Sequence, residues 1–347
     1  MTHIAGRAVL GGGLAAAAAA CAGLAAWWYG VAGAGPAATN PPMKPQFAED
    51  AVPRTITPAD VKFDSDRALK YLKQLCDIGP RVSGTPGMKK QQELIEKHFK
   101  GLGATVTRQE FKARQASRRT DTEMTNLVIS WHPEKARRVL ICAHYDTRPI
   151  ADQEQDRRNW TKPFVSANDG ASGVALMMEL GHHMKGLKTE VGVDFVLFDG
   201  EEFVFGTNQG GGGDRYFFGS EHFAGDYAKT RDTRKHKYEG GVLLDLFAAK
   251  GAVLRPEKNS VQGARAVVDQ VWGVAAALKA RSFRYEAGGP DVLDDHIALI
   301  LAGIPCADLI DFDYPHWHKL TDTPDKVSGG QLAEVAGVLA TWVTTIK

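Results

Sequence analysis

The sequence predicts an α/β fold: a single domain with a mixed, mostly parallel central sheet flanked by helices. Three observations lead there. From about residue 60 onward, short β-rich runs alternate with helical patterns of ten to fifteen residues, as in strand–helix–strand units. The run Val139-Leu-Ile-Cys-Ala143 is apolar throughout and Val193 to Phe198 nearly so, as expected of strands covered on both faces. No linker or internal repeat interrupts the alternation, so a body of about 300 residues reads as one domain, although a ~150-residue prior would divide it.

Charge sets the N-terminus apart. The 347-residue chain carries 42 Lys+Arg and 41 Asp+Glu, yet Arg7 is the only charged side chain before Lys44. Residues 1–34 therefore read as a signal peptide or a membrane anchor. Arg7 forms a positive leader, residues 8–33 are uncharged, and Ala32-Gly-Ala34 resembles a small-residue cleavage site. The same stretch is long enough to span a bilayer, with Trp27, Trp28 and Tyr29 suited to its interface. Residues 35–59 include Pro36, Pro41, Pro42, Pro45, Pro53 and Pro58 and read as an extended linker. Residues 60–347 form the expected folded domain. A net charge of +1 without a basic run argues against nucleic acid as a partner. Cys21, Cys76, Cys142 and Cys306 are too scattered for a disulfide scaffold and lack zinc-finger spacing. Cys142 shares a strand face with His144 and reads as a core thiol, a bond to Cys306 being the alternative.

Taken in order, Asp66–Leu75 and Met88–Leu102 predict helices, the second closed by Gly103. Asn126–Ser130 and Val139–Ala143 predict strands, Val174–Met184 a helix, and Val193–Phe198 and Val242–Phe247 further strands. A helix over Ala264–Leu278, a strand over Ile304–Ile310 and a helix over Leu332–Thr344 complete the chain. Gly210 to Gly213 reads as a loop tip, and His182, His183 and His222 as surface or core residues without convergent partners.

Ligands of open α/β sheets bind beyond the carboxyl ends of the strands. Four strand ends here deliver imidazole or carboxylate: His144-Tyr-Asp146 with a following Ala167-Asn-Asp-Gly170, Asp199-Gly-Glu-Glu202, Asp245, and Tyr314-Pro-His-Trp-His318. Each has an ordinary reading alone. His144 and Asp146 could be a hydrogen-bonded pair, Glu201 and Glu202 a solvated helix start, and Asp169 a helix cap. Asp245, expected inside an apolar strand, needs a partner to be buried at all. Their convergence on one rim argues for a site. A His and carboxylate set without thiolate suits catalytic zinc, and adjacent glutamates divide naturally into one ligand and one general acid/base.

Together these segments resemble the zinc exopeptidase superfamily that contains co-catalytic zinc aminopeptidases and animal-type, zinc-dependent glutaminyl cyclases. The resemblance runs in order through Ile78-Gly-Pro-Arg-Val-Ser-Gly84, Asn126-Leu-Val-Ile, His144-Tyr-Asp146, Ala167 to Gly173 and Asp199 to Glu202. It continues through Leu243-Leu-Asp-Leu246, Asp294-Asp-His296, Trp317-His318 and Asp322-Thr-Pro-Asp325. It implies a zinc held by Asp169, Glu202 and His318, with Glu201 moving protons. It implies a second metal in the aminopeptidases at His144 and Asp245, Asp169 bridging, or else a supporting role for these residues with Asp146 orienting His144. Three features resemble the cyclases: Asp294, which would join Glu201 and Asp245 in a hydrogen-bond network; the long Phe203–Phe218 insertion; and Arg158-Asn-Trp160. Asp308 departs from the cyclase pattern, which has histidine there, and the pocket tryptophan after Glu-Glu has no counterpart near Phe205. The implied activity is conversion of N-terminal glutamine of peptides to pyroglutamate, with one zinc and Trp317 walling the substrate pocket. The alternatives are a two-zinc aminopeptidase, which removes N-terminal residues, and a non-catalytic ectodomain of the same fold.

Overall fold

The computed structural model describes residues 56–206, 213–286 and 289–347. The signal-or-anchor reading of residues 1–34, nearly all of the linker and Gly210 to Gly212 lie outside the described residues. No helix among the described residues is long and apolar enough to cross a membrane.

The first two helices show why these segments fold as they do. Helix α1 (Ser65–Cys76) is capped by Asp64, whose carboxylate accepts the Arg67 N–H, and it buries Ala68, Leu72, Leu75 and Cys76 along one stripe. Helix α2 (Pro86–Gly101) starts on Thr85 with proline in its first turn and stops before Gly103, which adopts a left-handed φ of 88°. Then follow β1 (Thr105–Ala113), β2 (Thr122–Trp131), β3 (Arg137–His144), α3 (Ser172–Met184) and β4 (Gly192–Phe198). Helix α4 (Phe218–Thr230), β5 (Lys237–Leu244), α5 (Lys258–Gly263), α6 (Arg265–Ala277), α7 (Asp295–Leu301), β6 (Cys306–Leu309) and α8 (Gly329–Thr345) complete the order.

The strands form one six-stranded sheet in the order β1-β2-β4-β3-β5-β6. Strands β4, β3, β5 and β6 run parallel, and β1 and β2 pair antiparallel at one end. Alternation divides β3 cleanly. Val139, Ile141 and Ala143 face a core built with α1, α2, α3, α6 and α8, whereas Leu140 and Cys142 face a smaller core with residues of α4 and α7. The expected α/β class with a mostly parallel sheet is what the chain forms. From β3 the connection leads to β4 on one side, and from β5 to β6 on the other. The carboxyl ends of β3 and β5 therefore flank the switch point where ligands bind in such sheets.

Several details differ from expectation. Strand β5 stops at Leu244, so Asp245 lies just beyond the strand rather than within it. Strand β6 is shorter than the expected Ile304–Ile310. Strand β1 gave no sequence signal because it is an edge strand whose residues are exposed or half-buried and largely polar. Helices α4, α5 and α7 were also not anticipated. Cys76, Cys142 and Cys306 are buried free thiols. Strand β5 lies between the strands of Cys142 and Cys306, and two strand spacings make ~9.6 Å, beyond the ~7 Å that a disulfide tolerates, so that alternative falls. His182, His183 and His222 belong to neither candidate metal group and make only local contacts: Tyr71 Oη lies 2.8 Å from His182 Nε2, His183 lies 3.8 Å from Glu179, and His222 stacks on Phe111.

Candidate metal centre

Two overlapping groups of side chains meet at the switch point, and both could hold a metal ion. Asp169, Glu202 and His318 form one, and His144, Asp169 and Asp245 the other, with ligand atoms within 4.8 Å of one another in each. His144 ends β3, Asp245 follows β5, Glu202 follows β4 and His318 lies in the loop after β6. Asp169 comes from a sharp bend, Ala167–Ala171, ahead of α3. His318 Nε2 lies 2.8 Å from Glu202 Oε1 and 3.8 Å from Asp169 Oδ2. His144 Nε2 lies 3.1 Å from Asp169 Oδ1 and 3.3 Å from Asp245 Oδ1.

The loops that carry these groups are held by buried polar side chains. Asp322 shapes the Asp169 bend: its carboxylate accepts the N–H groups of Asn168 and Asp169 and the Tyr314 hydroxyl, the last at 2.6 Å. Arg81 clamps the chain just before it by donating to the carbonyls of Val165 and Ser166. Gly170 has φ 88°, and a Cβ there would lie 2.6 Å from the Asp146 carbonyl oxygen and 3.0 Å from His144 Cε1, so only glycine fits. Asp152 Oδ1 lies 3.0 Å from His318 Nδ1 and orients that ring, while Arg148 grips Asp152 with two donors at 3.0 and 2.8 Å. Asp146 accepts the Glu202 N–H at 3.1 Å and sits 3.6 Å from His144 Nδ1. The Ser83 hydroxyl donates to Asp199 at 2.6 Å and reaches Asp146 at 3.4 Å. Ser166, Leu246 and His318 all hold positive φ without being glycine, a concentration of backbone strain typical of functional loops.

The charges are strongly perturbed. Burial pushes the Asp169 carboxyl up to about 6, with Glu202 adding to the shift. Burial opposes the Glu202 carboxylate too, but His318 and Arg148 outweigh it and hold that group at about 2. His318 is raised to about 9 against its own burial, by Glu202 and Asp152. Glu201 is pushed well above the ordinary carboxylate range by burial and by Glu202, and Asp294 likewise by burial, Asp245 and Asp295. Widely separated acids in one water-poor site are what proton-transfer chemistry uses.

The sequence-predicted residues converge. Glu201 and Glu202 are buried and open no helix; the next helix among the described residues starts at Phe218, so they are not the solvated acids of a helix terminus. Asp169 caps no helix with its side chain. Glu201 Oε2 lies 3.9 Å from His144 Nδ1, beside the ligand set but outside both groups. Asp294 caps α7, accepting the Asp295 N–H, and its other oxygen is buried without a partner. Trp317 is half-buried, its ring centroid 4.0 Å from that of His318 and 5.0 Å from that of Phe312. Asp308 is buried, its carboxyl is raised by burial and then by Asp294 and Asp245, and its carboxylate lies 3.9 Å from His296 Nδ1. Sequence reasoning missed Arg148, Asp152 and Tyr216, and it placed Ser83, Asp199 and Tyr314 within motifs without giving them a role. The signal available for them was a charged or polar side chain in a loop beside a rim residue.

Comparison with known proteins agrees with this geometry. A glutaminyl cyclase from Fimbriiglobus ruber is 57% identical, with a TM-score of 0.83, over 85% of this chain and 99% of that one. A leucine aminopeptidase precursor from Bacteroides thetaiotaomicron is 27% identical with a TM-score of 0.75, over 84% of this chain and 100% of that one. The glutaminyl-peptide cyclotransferase of Bos taurus is 24% identical over 246 residues, which are 63% of this chain and 65% of that protein. Residues 126–343, well over half the sequence, match the peptidase family M28 profile, and the chain belongs to that family.

Proposed function

We propose that this chain is a zinc-dependent glutaminyl-peptide cyclotransferase that converts N-terminal glutamine of peptides and proteins to pyroglutamate with release of ammonia. The observation that carries the reading is the cluster of buried acids at the metal centre: Glu201 lies 3.9 Å from His144 beside the two ligand groups, Asp294 is buried with one oxygen unpartnered, and burial, Glu202 and then Asp294 raise the Glu201 carboxyl. Ring closure must take a proton from an amine and deliver it to ammonia without external water, and linked acids suit that transfer. The likeness to the Fimbriiglobus ruber glutaminyl cyclase supports the same reading.

Asp169, Glu202 and His318 would hold the zinc. They suit it: two carboxylates and an imidazole form a mixed N/O set, and Asp169 Oδ2 and Glu202 Oε2 are buried without any hydrogen-bond partner. A zinc bound there supplies Lewis-acid polarisation of the glutamine γ-carboxamide. Glu201 takes a proton from the α-amine as its nitrogen bonds to the γ-amide carbon. The bond from that carbon to the amide nitrogen then breaks, Glu201 returns the proton, and ammonia leaves while the peptide stays intact. Asp294 and Asp245 keep the transferred proton near Glu201. Trp317 walls the pocket for the glutamine side chain.

A second reading rests on the other ligand group. His144, Asp169 and Asp245 could hold a second ion, as a two-zinc aminopeptidase would need, and family M28 accommodates that activity. Incubation with a glutamine-initiated peptide followed by mass spectrometry separates the two. Loss of ammonia from an otherwise intact peptide supports the cyclase, and release of a free amino acid refutes it. Metal analysis is expected to give one tightly bound zinc per chain. We further propose that the uncharged leader exports or anchors the domain; an N-terminus beginning beyond residue 34 in the mature protein would identify it as a cleaved signal.

A further inference from the structure

We propose that Arg148 is a positioning residue for the metal centre, one buried guanidinium that holds two zinc ligands at once; the proposal rests on the zinc reading above. Arg148 lies four residues past the end of β3, and its side chain is 2% exposed. A buried arginine must be paired, and its partners show what it serves. Nε and one terminal nitrogen grip Asp152 at 3.0 and 2.8 Å, and Asp152 in turn meets His318 Nδ1 at 3.0 Å. The same terminal nitrogen donates to Tyr216 Oη at 3.0 Å. The other terminal nitrogen is buried, has no hydrogen-bond partner and points at Glu202 Oε1, 3.6 Å away.

None of these partners belongs to a helix or strand. All sit in loops that converge on the centre, so Arg148 fastens the site rather than the scaffold. Its planar fork reaches Asp152, Glu202 and Tyr216 in three directions, which the single ammonium of lysine does not reproduce. Without it, the Asp152 and Glu202 carboxylates would lose their shared counter-charge, and the His318 ring would lose the fixed carboxylate that sets its orientation. Tyr216 extends the arrangement to the segment that follows the two glutamates, where Gln115 and Asp214 tie the chain to the β1–β2 turn.

The test is zinc affinity, measured on the full chain by competition with a chromophoric chelator, for the wild type, Arg148→Met, Arg148→Lys, Asp152→Asn and the Arg148→Lys/Asp152→Asn double variant. Supporting-residue changes of this kind weaken metal binding by ~10–100-fold, which is the loss expected for Arg148→Met, with a smaller loss for Arg148→Lys. The double variant should lose less than the product of its two single losses, because both act through one carboxylate. Thermal unfolding of the metal-free proteins identifies the variants that fold, and Arg148→Lys carries the test if Arg148→Met does not. Folded Arg148 variants with wild-type zinc affinity would overturn the proposal, and strictly multiplicative losses would overturn the route through Asp152. A wild-type chain that binds no zinc would overturn the zinc reading as well.

Discussion

Asp322 should contribute more to stability than its distance from the sheet suggests, and Asp322→Ala is the variant that shows it. The carboxylate is fully buried and accepts the backbone N–H of Asn168 at 3.0 and 3.2 Å, that of Asp169 at 3.2 Å and the Tyr314 hydroxyl at 2.6 Å. Truncation strands two buried N–H groups at ~1–3 kcal/mol each; the Tyr314 hydroxyl can turn, so it adds little. One water in the vacated space would recover part of this, which leaves ~2–4 kcal/mol. For a domain of this size that is a fall in melting temperature of ~4–16 °C, and Asp322→Asn, which keeps one acceptor, should lie between the two. The measurement is thermal unfolding by circular dichroism on chelator-treated protein, so that loss of zinc cannot contribute. The Asp169 bend would also relax, so zinc affinity should fall by ~10-fold or more. An Asp322→Ala protein that melts within ~1 °C of the wild type would refute the claim that these hydrogen bonds hold the bend.

Three further outcomes are expected. Glu201→Gln should lower kcat for a glutamine-initiated peptide by ~10²–10⁴-fold with little change in KM, because Glu201 lies beside the ligands rather than among them; steady-state ammonia release reads both constants, and retained kcat would end the proton-transfer assignment. Arg138→Met should cost ~3–5 kcal/mol in urea unfolding, because it leaves Asp194 buried after losing donors at 2.9 and 2.5 Å; an unchanged midpoint would contradict that. Burial, with Asp146 adding, raises the Asp199 carboxyl to about 8, so the folded state binds a proton that the unfolded chain releases near its usual 3.8. That contribution to stability is full at low pH and is lost as pH rises through about 8. Asp199→Asn should therefore lose less stability than the wild type between pH 5 and pH 9, and equal losses in urea titrations would argue against the raised group.

The parts of the site that the sequence made legible are the ones delivered by strand ends. His144, Glu201 and Glu202 lie at or just after strand ends that the parallel sheet brings to a single rim, and Asp169 and His318 lie in recognisable runs within the loops that follow β3 and β6. Even the misplacement of Asp245 by one strand end left it on that rim. The supports were illegible for a different reason. Asp152 and His318 are 166 residues apart, Asp322 and Asn168 154, and Ser83 and Asp199 116. No periodicity links such partners, and Asp152 alone reads as an ordinary polar loop residue. Strand β1 escaped notice on similar grounds, since an exposed edge needs no apolar face to mark it. The consequence reaches beyond recognition. The sheet determines where the chemistry occurs, while separations of tenths of an ångström at the ligands depend on loop-to-loop contacts such as Asp152 with His318 and Asp322 with Asp169. Ligand residues alone therefore do not separate a one-metal cyclase from a two-metal peptidase, because both groups, Asp169–Glu202–His318 and His144–Asp169–Asp245, are present in this chain. The separation has to come from what surrounds them, and under the proposed function that is the buried acid Asp294, whose charge adds to the raised proton affinity of Glu201.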